Sequence, residues 1–142
     1  MPAADIAVSG EEEAGFKRLL EDGLTAFNIP FVGPHGYSPV NVLVTRPNEA
    51  APAGGLRGEC YGGWMFIRYF FLPEDLRRGG IGARVIAAAE AEAVRRGCLG
   101  AWVDTFGFQA RPFYEKQGYI LFGTIEDLPP GHARYFLKKR FA

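Results

Sequence analysis

Hydrophobic and polar positions alternate along this chain with a period that changes from segment to segment. Phe16, Leu19, Leu20, Leu24 and Phe27 recur at roughly the 3.6-residue spacing of one helical face. Ahead of them, Ser9-Gly10-Glu11-Glu12 has the form of a capping box, with Ser9 as N-cap and Glu12 reaching back from the third helical position. A first helix is therefore predicted, followed by a Pro- and Gly-rich loop from Asn28 to Pro39. Val40-Asn41-Val42-Leu43-Val44 reads as a strand, and Pro47 to Gly54 as a turn or short surface loop. Gly55 to Cys60 and Trp64 to Leu72 read as a hairpin around Tyr61-Gly62-Gly63. Its second arm is apolar on both faces, which predicts a central strand.

The second half alternates in type. A helix from about Gly80 to Arg96 stops at Arg95-Arg96-Gly97, with cations in its last turn and glycine just past it. Leu99-Gly100-Ala101-Trp102-Val103-Asp104 is a buried strand. Gln109 to Gln117 reads as a short helix, with Pro112 tolerable only in its first turn and Gly118 as its stop. Tyr119 to Ile125 and Arg134 to Leu137 add two more strands. Lys138-Lys139-Arg140 reads as a solvated strand edge that discourages pairing. This order predicts an α/β (α+β) fold with helices on both faces of a mixed sheet.

A length of 142 residues suits a single domain spanning 1–142. At 48% hydrophobic and 23% charged, the composition is that of a globular chain rather than a disordered one. Sixteen basic and sixteen acidic side chains cancel, so no nucleic-acid or anionic-membrane partner is expected. The apolar runs are strand-sized, too short for a transmembrane helix. Cys60 and Cys98 form no CxxC or CxxH spacing. No metal is expected, and the two read as reduced thiols of a cytoplasmic protein.

Chemistry concentrates in Phe71-Leu72-Pro73-Glu74-Asp75-Leu76-Arg77-Arg78-Gly79-Gly80-Ile81-Gly82-Ala83-Arg84, between a buried strand and a long helix. Consecutive glycines let the backbone turn tightly and aim several N–H groups at one anion. The helix N-terminus and Arg77, Arg78 and Arg84 add positive charge, which suits a pyrophosphate. A Walker loop needs Lys-Ser/Thr after its second glycine, and none follows. A dinucleotide fingerprint needs a small residue where Val85 stands. What remains is Arg-x-x-Gly-x-Gly, carried by Arg77, Gly80 and Gly82, and it resembles the acetyl-CoA pyrophosphate loop of the GNAT superfamily.

A second stretch, Asp104 to Tyr119, resembles the second GNAT motif: a strand, a short helix with Ala110 and Tyr114 one turn apart, then Gly118 and an aromatic. The resemblance covers roughly Gly54 to Gly118. It implies a mixed, mostly antiparallel central sheet of about six to seven strands and an acyl-CoA N-acyltransferase that uses acetyl-CoA. Implied donor-binding residues are Phe71 and Leu72 at the strand end, then Arg77, Arg78, Gly79, Gly80, Ile81, Gly82 and Ala83, with Gln109 and Phe113 from the second motif. Two positions depart from the family's habit. Gly107 stands where Asn is usual, leaving Gln109 to supply an amide, and Arg78 stands where Gly is usual.

The mechanism implied is direct attack of an amine on the thioester in a ternary complex. A backbone N–H near Phe71-Leu72 would stabilise the oxyanion. Tyr114 would protonate the departing thiolate, unless it is only a core aromatic, a role Phe113 or Tyr119 fills equally well. Glu59 ranks first as the general base, ahead of Asp104, His35 and His132. Arg68, a charge within an apolar strand, pairs with Glu59 or Asp104, touches an acidic substrate group, or simply snorkels. The Asn28–Pro39 loop and the Asp127–His132 turn wall the acceptor site by the same analogy. A small-molecule amine is the expected substrate. Protein acetylation and a non-catalytic acyl-CoA-binding module are the alternatives, and a homodimer is expected from the apolar C-terminal strands and the family's habit.

Overall fold

A computed structural model describes residues 3–34 and 36–142. The chain divides into two compact units, Met1–Gly36 and Tyr37–Ala142.

In the first unit the helical periodicity becomes α1, Phe16–Val32. The capping-box expectation is corrected. Ser9 Oγ accepts from the Glu11 amide (3.1 Å) and donates to Glu13 Oε2 (2.8 Å), so it closes a local turn instead. Gly15 is the N-cap and provides no side-chain bond. The predicted loop from Asn28 is also shorter than expected, because α1 runs on through Pro30. That proline forfeits a single N–H bond one turn from the end, and Gly33, left-handed, stops the helix with its N–H on the Ile29 carbonyl (2.9 Å).

The second unit is a six-stranded sheet: β1 Ser38–Val44, β2 Gly54–Tyr61, β3 Trp64–Phe71, β4 Gly100–Phe106, β5 Ile120–Glu126 and β6 Ala133–Arg140, in the order β1-β2-β3-β4-β6-β5. Every neighbouring pair is antiparallel except β3–β4. The doubly apolar β3 is indeed interior. The basic run 138–140 is no edge, which corrects that expectation. It lies within β6, between β4 and β5, where Lys139 Nζ is neutralised by Glu90 Oε1 at 2.8 Å. Glu90 also takes the Tyr119 hydroxyl at 2.8 Å, so the charge that α2 carries toward the sheet is satisfied.

α2, Ile81–Arg95, buries Val85, Ile86, Ala89 and Ala93 and packs on β1, β2 and β4. The short helix α3, Arg111–Lys116, turns Tyr114 into the same core beside Met65, Ile67, Val103 and Leu137. Trp64, Phe66 and Trp102 alternate onto the sheet face away from this core.

One irregularity shapes everything downstream. Gly58 pairs with Ile67 and Arg57 with Tyr69, so Arg68 is an extra residue on β3. The bulge shifts the alternation by one: Met65 and Ile67 are buried before it, and Phe70 packs on the core after it. A bulge bends its strand and tightens its twist. β3 therefore pairs with β4 only from Trp64/Gly100 to Ile67/Val103, and beyond that point the two strands diverge.

Where they do pair, contact is close. A Cβ at Gly100 would lie 2.5 Å from the Lys139 carbonyl oxygen and 2.5 Å from the Trp64 ring. Gly100→Ala is expected to cost about 1–3 kcal/mol of stability, the usual range for overpacking, read as a lower urea midpoint at unchanged slope.

Candidate active site

The β3–α2 connection forms first. Glu74–Leu76 makes one 3₁₀ turn, held by a bidentate pair of Asp75 with Arg46 at 2.9 and 3.0 Å. Gly79 and Gly80 follow with φ of 85° and 81°, a region that L side chains rarely enter, and the space over both is open. The first helical hydrogen bond is that of the Arg84 amide to the Gly80 carbonyl (3.1 Å). The first-turn amides of Ile81, Gly82 and Ala83 thus lack helical acceptors and share the positive end of the α2 dipole. Arg78 and Arg84 are exposed beside them, without an ion-pair partner among the described residues. These groups fit a pyrophosphate. Arg77 does different work: its Nε donates to the Leu72 carbonyl at 2.7 Å and latches the loop to the end of β3.

The divergence of β3 and β4 opens a cleft of about 590 Å³, lined from β3 by Ile67 to Phe71, from β4 by Val103 to Thr105, and beyond them by Leu72, Arg77, Phe108, Gln109, Ala110 and Tyr114. A smaller cavity of about 230 Å³ continues it past Phe70, Leu72, Gly82 and Phe113. Gly82 is what lets α2 start this close to α3. A Cβ there would meet the Phe113 ring at 3.0 Å. Phe71 is 60% exposed on the cleft wall, and Leu72 is buried at its floor.

Tyr114 is 5% exposed, its ring edge-on to Phe113 (5.4 Å) and Tyr119 (5.8 Å). It lines both cavities, and its hydroxyl bonds to none of the described side chains. Burial, with a smaller contribution from the Asp104 charge, pushes its pKa up to about 12. The result is a protonated phenol at neutral pH with a free donor inside the cleft.

The remaining predicted residues divide. Gln109 lines the cleft, but its Oε1 is taken by Thr105 Oγ1 (3.2 Å) and the Phe106 amide (3.0 Å), leaving only its NH₂ group for a ligand. Glu59 does not line the cleft. It is held by Arg68 Nε and faces a separate cavity. His132 stands edge-on to Phe108 at 5.2 Å, outside both cavity linings, and His35 lies outside the described residues. Asp104 is the candidate base that shares the cleft with Tyr114, its Oδ1 held by Arg134. The Arg68 bulge, Phe70 and Thr105 escape sequence reasoning, since alternation alone reveals neither a register shift nor a splay.

Comparison with known proteins identifies the family. The profile described as "Acetyltransferase (GNAT) family" matches residues 13–119. An acetyltransferase of Agrobacterium fabrum is 32% identical over 137 residues, 96% of this chain and 99% of that protein. The blasticidin-S acetyltransferase of Streptomyces morookaense is 41% identical over 109 residues, 69% of this chain and 80% of that one. A crystal structure from Agrobacterium tumefaciens, assigned as an acetyltransferase, superposes with a TM-score of 0.87 at 31% identity, covering 97% of this chain and all of that one. With a glycine loop at a helix start, a cleft between parting parallel strands and a protonated tyrosine within it, the chain belongs to the GNAT family of acetyltransferases.

Proposed function

We propose that the protein transfers the acetyl group of acetyl-CoA to a primary amine of a small molecule, by direct attack in a ternary complex. The observation that carries this reading is one cleft lined at once by Leu72 and Arg77, next to the glycine loop, by Tyr114, and by Asp104. The pyrophosphate of the donor rests on the first-turn amides of α2, and the thioester end extends along β3. Past Ile67 that strand pairs with none of the described residues on its β4 side, so its amides there are available as oxyanion donors.

Asp104, its Oδ1 held by Arg134, attracts the ammonium of the acceptor, accepts a proton from it and passes that proton to water. The nitrogen lone pair then forms the C–N bond and the C–S bond breaks. The thiolate takes the Tyr114 proton, and the second proton shed by the nitrogen as the amide forms replaces it through solvent. The balance is one ammonium and one thioester giving one amide, one thiol and one proton. Direct transfer is favoured over an acyl-enzyme because Cys60 and Cys98 are buried and line no part of the cleft, with the Cys98 thiol pushed up to about 11 by burial.

A small acceptor is favoured by the relative named as a blasticidin-S acetyltransferase. The test is thiol release from acetyl-CoA with a panel of small amines set against lysine-containing peptides. Turnover of one or more small amines, with peptides inert, is expected. Release with peptides alone would transfer the reading to protein acetylation. We further place the enzyme in the cytoplasm, on its free thiols, and assign it a homodimer through β5. That strand edges the sheet with Ile120, Leu121, Phe122 and Ile125 exposed. Sedimentation is expected to give twice the 15.6 kDa chain mass, and a monomer at high concentration would refute the dimer.

A further inference from the structure

A second cavity, of about 280 Å³, lies beside the cleft on the outer sheet face, lined by Tyr37, Glu59, Tyr61, Trp64, Phe66, Arg68 and Trp102. Its floor follows from register: Glu59 pairs with Phe66, Tyr61 with Trp64, and Phe66 lies opposite Trp102. Two stacked pairs bound it, Tyr37 on Tyr61 at 4.2 Å and Phe66 on Trp102 at 4.1 Å. An aromatic box with one carboxylate ordinarily receives a cation. Here that role is filled from within. The Arg68 guanidinium lies over Phe66 at 5.0 Å, and its Nε holds Glu59. What remains open is the other end of the guanidinium, whose two NH₂ groups bond to none of the described residues.

Arg68 is the one residue common to this cavity and the cleft. It is the bulged residue of β3 at the point where the strands part, and Asp104 is the residue of β4 just past the same point. Asp104 offers Oδ2, which takes no hydrogen bond among the described residues. By alternation Arg57, Lys138 and Arg140 lie on this face too, so its cations outnumber Glu59 and Asp104. One cation fork, one carboxylate and an aromatic slot meet within one residue's reach.

We propose that the acceptor is an α-amino carboxylate with a flat ring, its carboxylate on the Arg68 fork, its amine toward Asp104 and Tyr114, and its ring in the Tyr37–Trp102 box. This rests on the small-amine reading and narrows it. A guanidinium takes a carboxylate through paired, charge-assisted hydrogen bonds. The stacked rings supply area and quadrupole for a planar group.

The chain's two tryptophans, Trp64 and Trp102, both line the box, so their fluorescence reports on it directly. Protein saturated with CoA is titrated with L-phenylalanine, phenethylamine and L-alanine, excited where phenylalanine does not absorb. L-Phenylalanine is expected to bind about 10- to 100-fold tighter than phenethylamine, the worth of one charge-assisted pair. It should also bind about 10-fold tighter than L-alanine, which lacks the ring. Arg68→Gln should bring the first ratio close to one, and Arg68→Lys, which keeps the charge without the fork, should leave it intermediate. Phenethylamine binding as tightly as L-phenylalanine, or no fluorescence response to either, would overturn the assignment. Thiol release with the same compounds separates the two claims. Release with phenethylamine as fast as with L-phenylalanine sinks the carboxylate site and leaves the small-amine reading standing, whereas release with lysine peptides alone sinks both.

Discussion

Tyr114→Phe is expected to bind acetyl-CoA as well as the parent protein does while turning over about 10²–10⁴-fold more slowly, the usual worth of a positioned general acid. A thiolate leaves tolerably unaided, so the lower end of that range is expected. Affinity survives because the ring keeps its contacts with Phe113 and Tyr119 and only the hydroxyl is lost. The pH dependence follows from the burial that pushes this phenol from 10 to about 12. The acid stays protonated through the physiological range, so the parent rate should show no alkaline fall from this group until the pH nears 12. Stability carries the same sign. A group whose folded pKa is raised contributes fully below pH 10, and that contribution is lost as the pH rises toward 12. The phenylalanine variant should lose less stability over that window than the parent. Unchanged turnover with reduced stability would reduce Tyr114 to a core aromatic.

Gly80→Asp should weaken acetyl-CoA binding by about 10²-fold in calorimetric titration. The space over Gly80 is open, so the effect is not a steric clash. The carboxylate would stand before the amides of Ile81, Gly82 and Ala83, opposing a pyrophosphate and competing for donors worth about 1.5–3 kcal/mol each. A loss near 3 kcal/mol corresponds to about 10²-fold. Gly80→Ala is the matched control. It shares the left-handed strain, about 1–2 kcal/mol of folding stability, and carries no charge, so its affinity should stay within a few-fold of the parent. Equal affinities for the parent and the aspartate variant would remove the pyrophosphate from this loop.

Much of the site was legible because it is local. The Gly79-Gly80 turn, the helix it opens and the spacing of Ala110 and Tyr114 are short-range features, and each falls where its residues predict. The doubly apolar pattern of β3 correctly placed it inside the sheet. Features set by pairing were not legible. The Arg68 bulge is a mismatch between two strands, invisible in either one alone. For the same reason Glu59 read as the foremost base, although its pairing with Phe66 turns it into the aromatic box, while the splay beyond Val103 gives Asp104 to the cleft. The basic end of β6 misled because charge resembles edge protection, and the Glu90 carboxylate that accepts Lys139 comes from a helix some fifty residues earlier. Ser9 misled in the opposite sense: its hydroxyl satisfied a nearby amide before any helix began.

Direct transfer in a ternary complex is tested most plainly by following both halves of acetyl-CoA, with the acetyl group isotopically labelled. Without amine, the protein should bind the donor, release no thiol and gain no label. On addition of an accepted amine, thiol and labelled amide should appear together in equal amounts, with converging double-reciprocal lines when both substrates are varied. Label on the protein before amine is added, with parallel lines, would contradict the account.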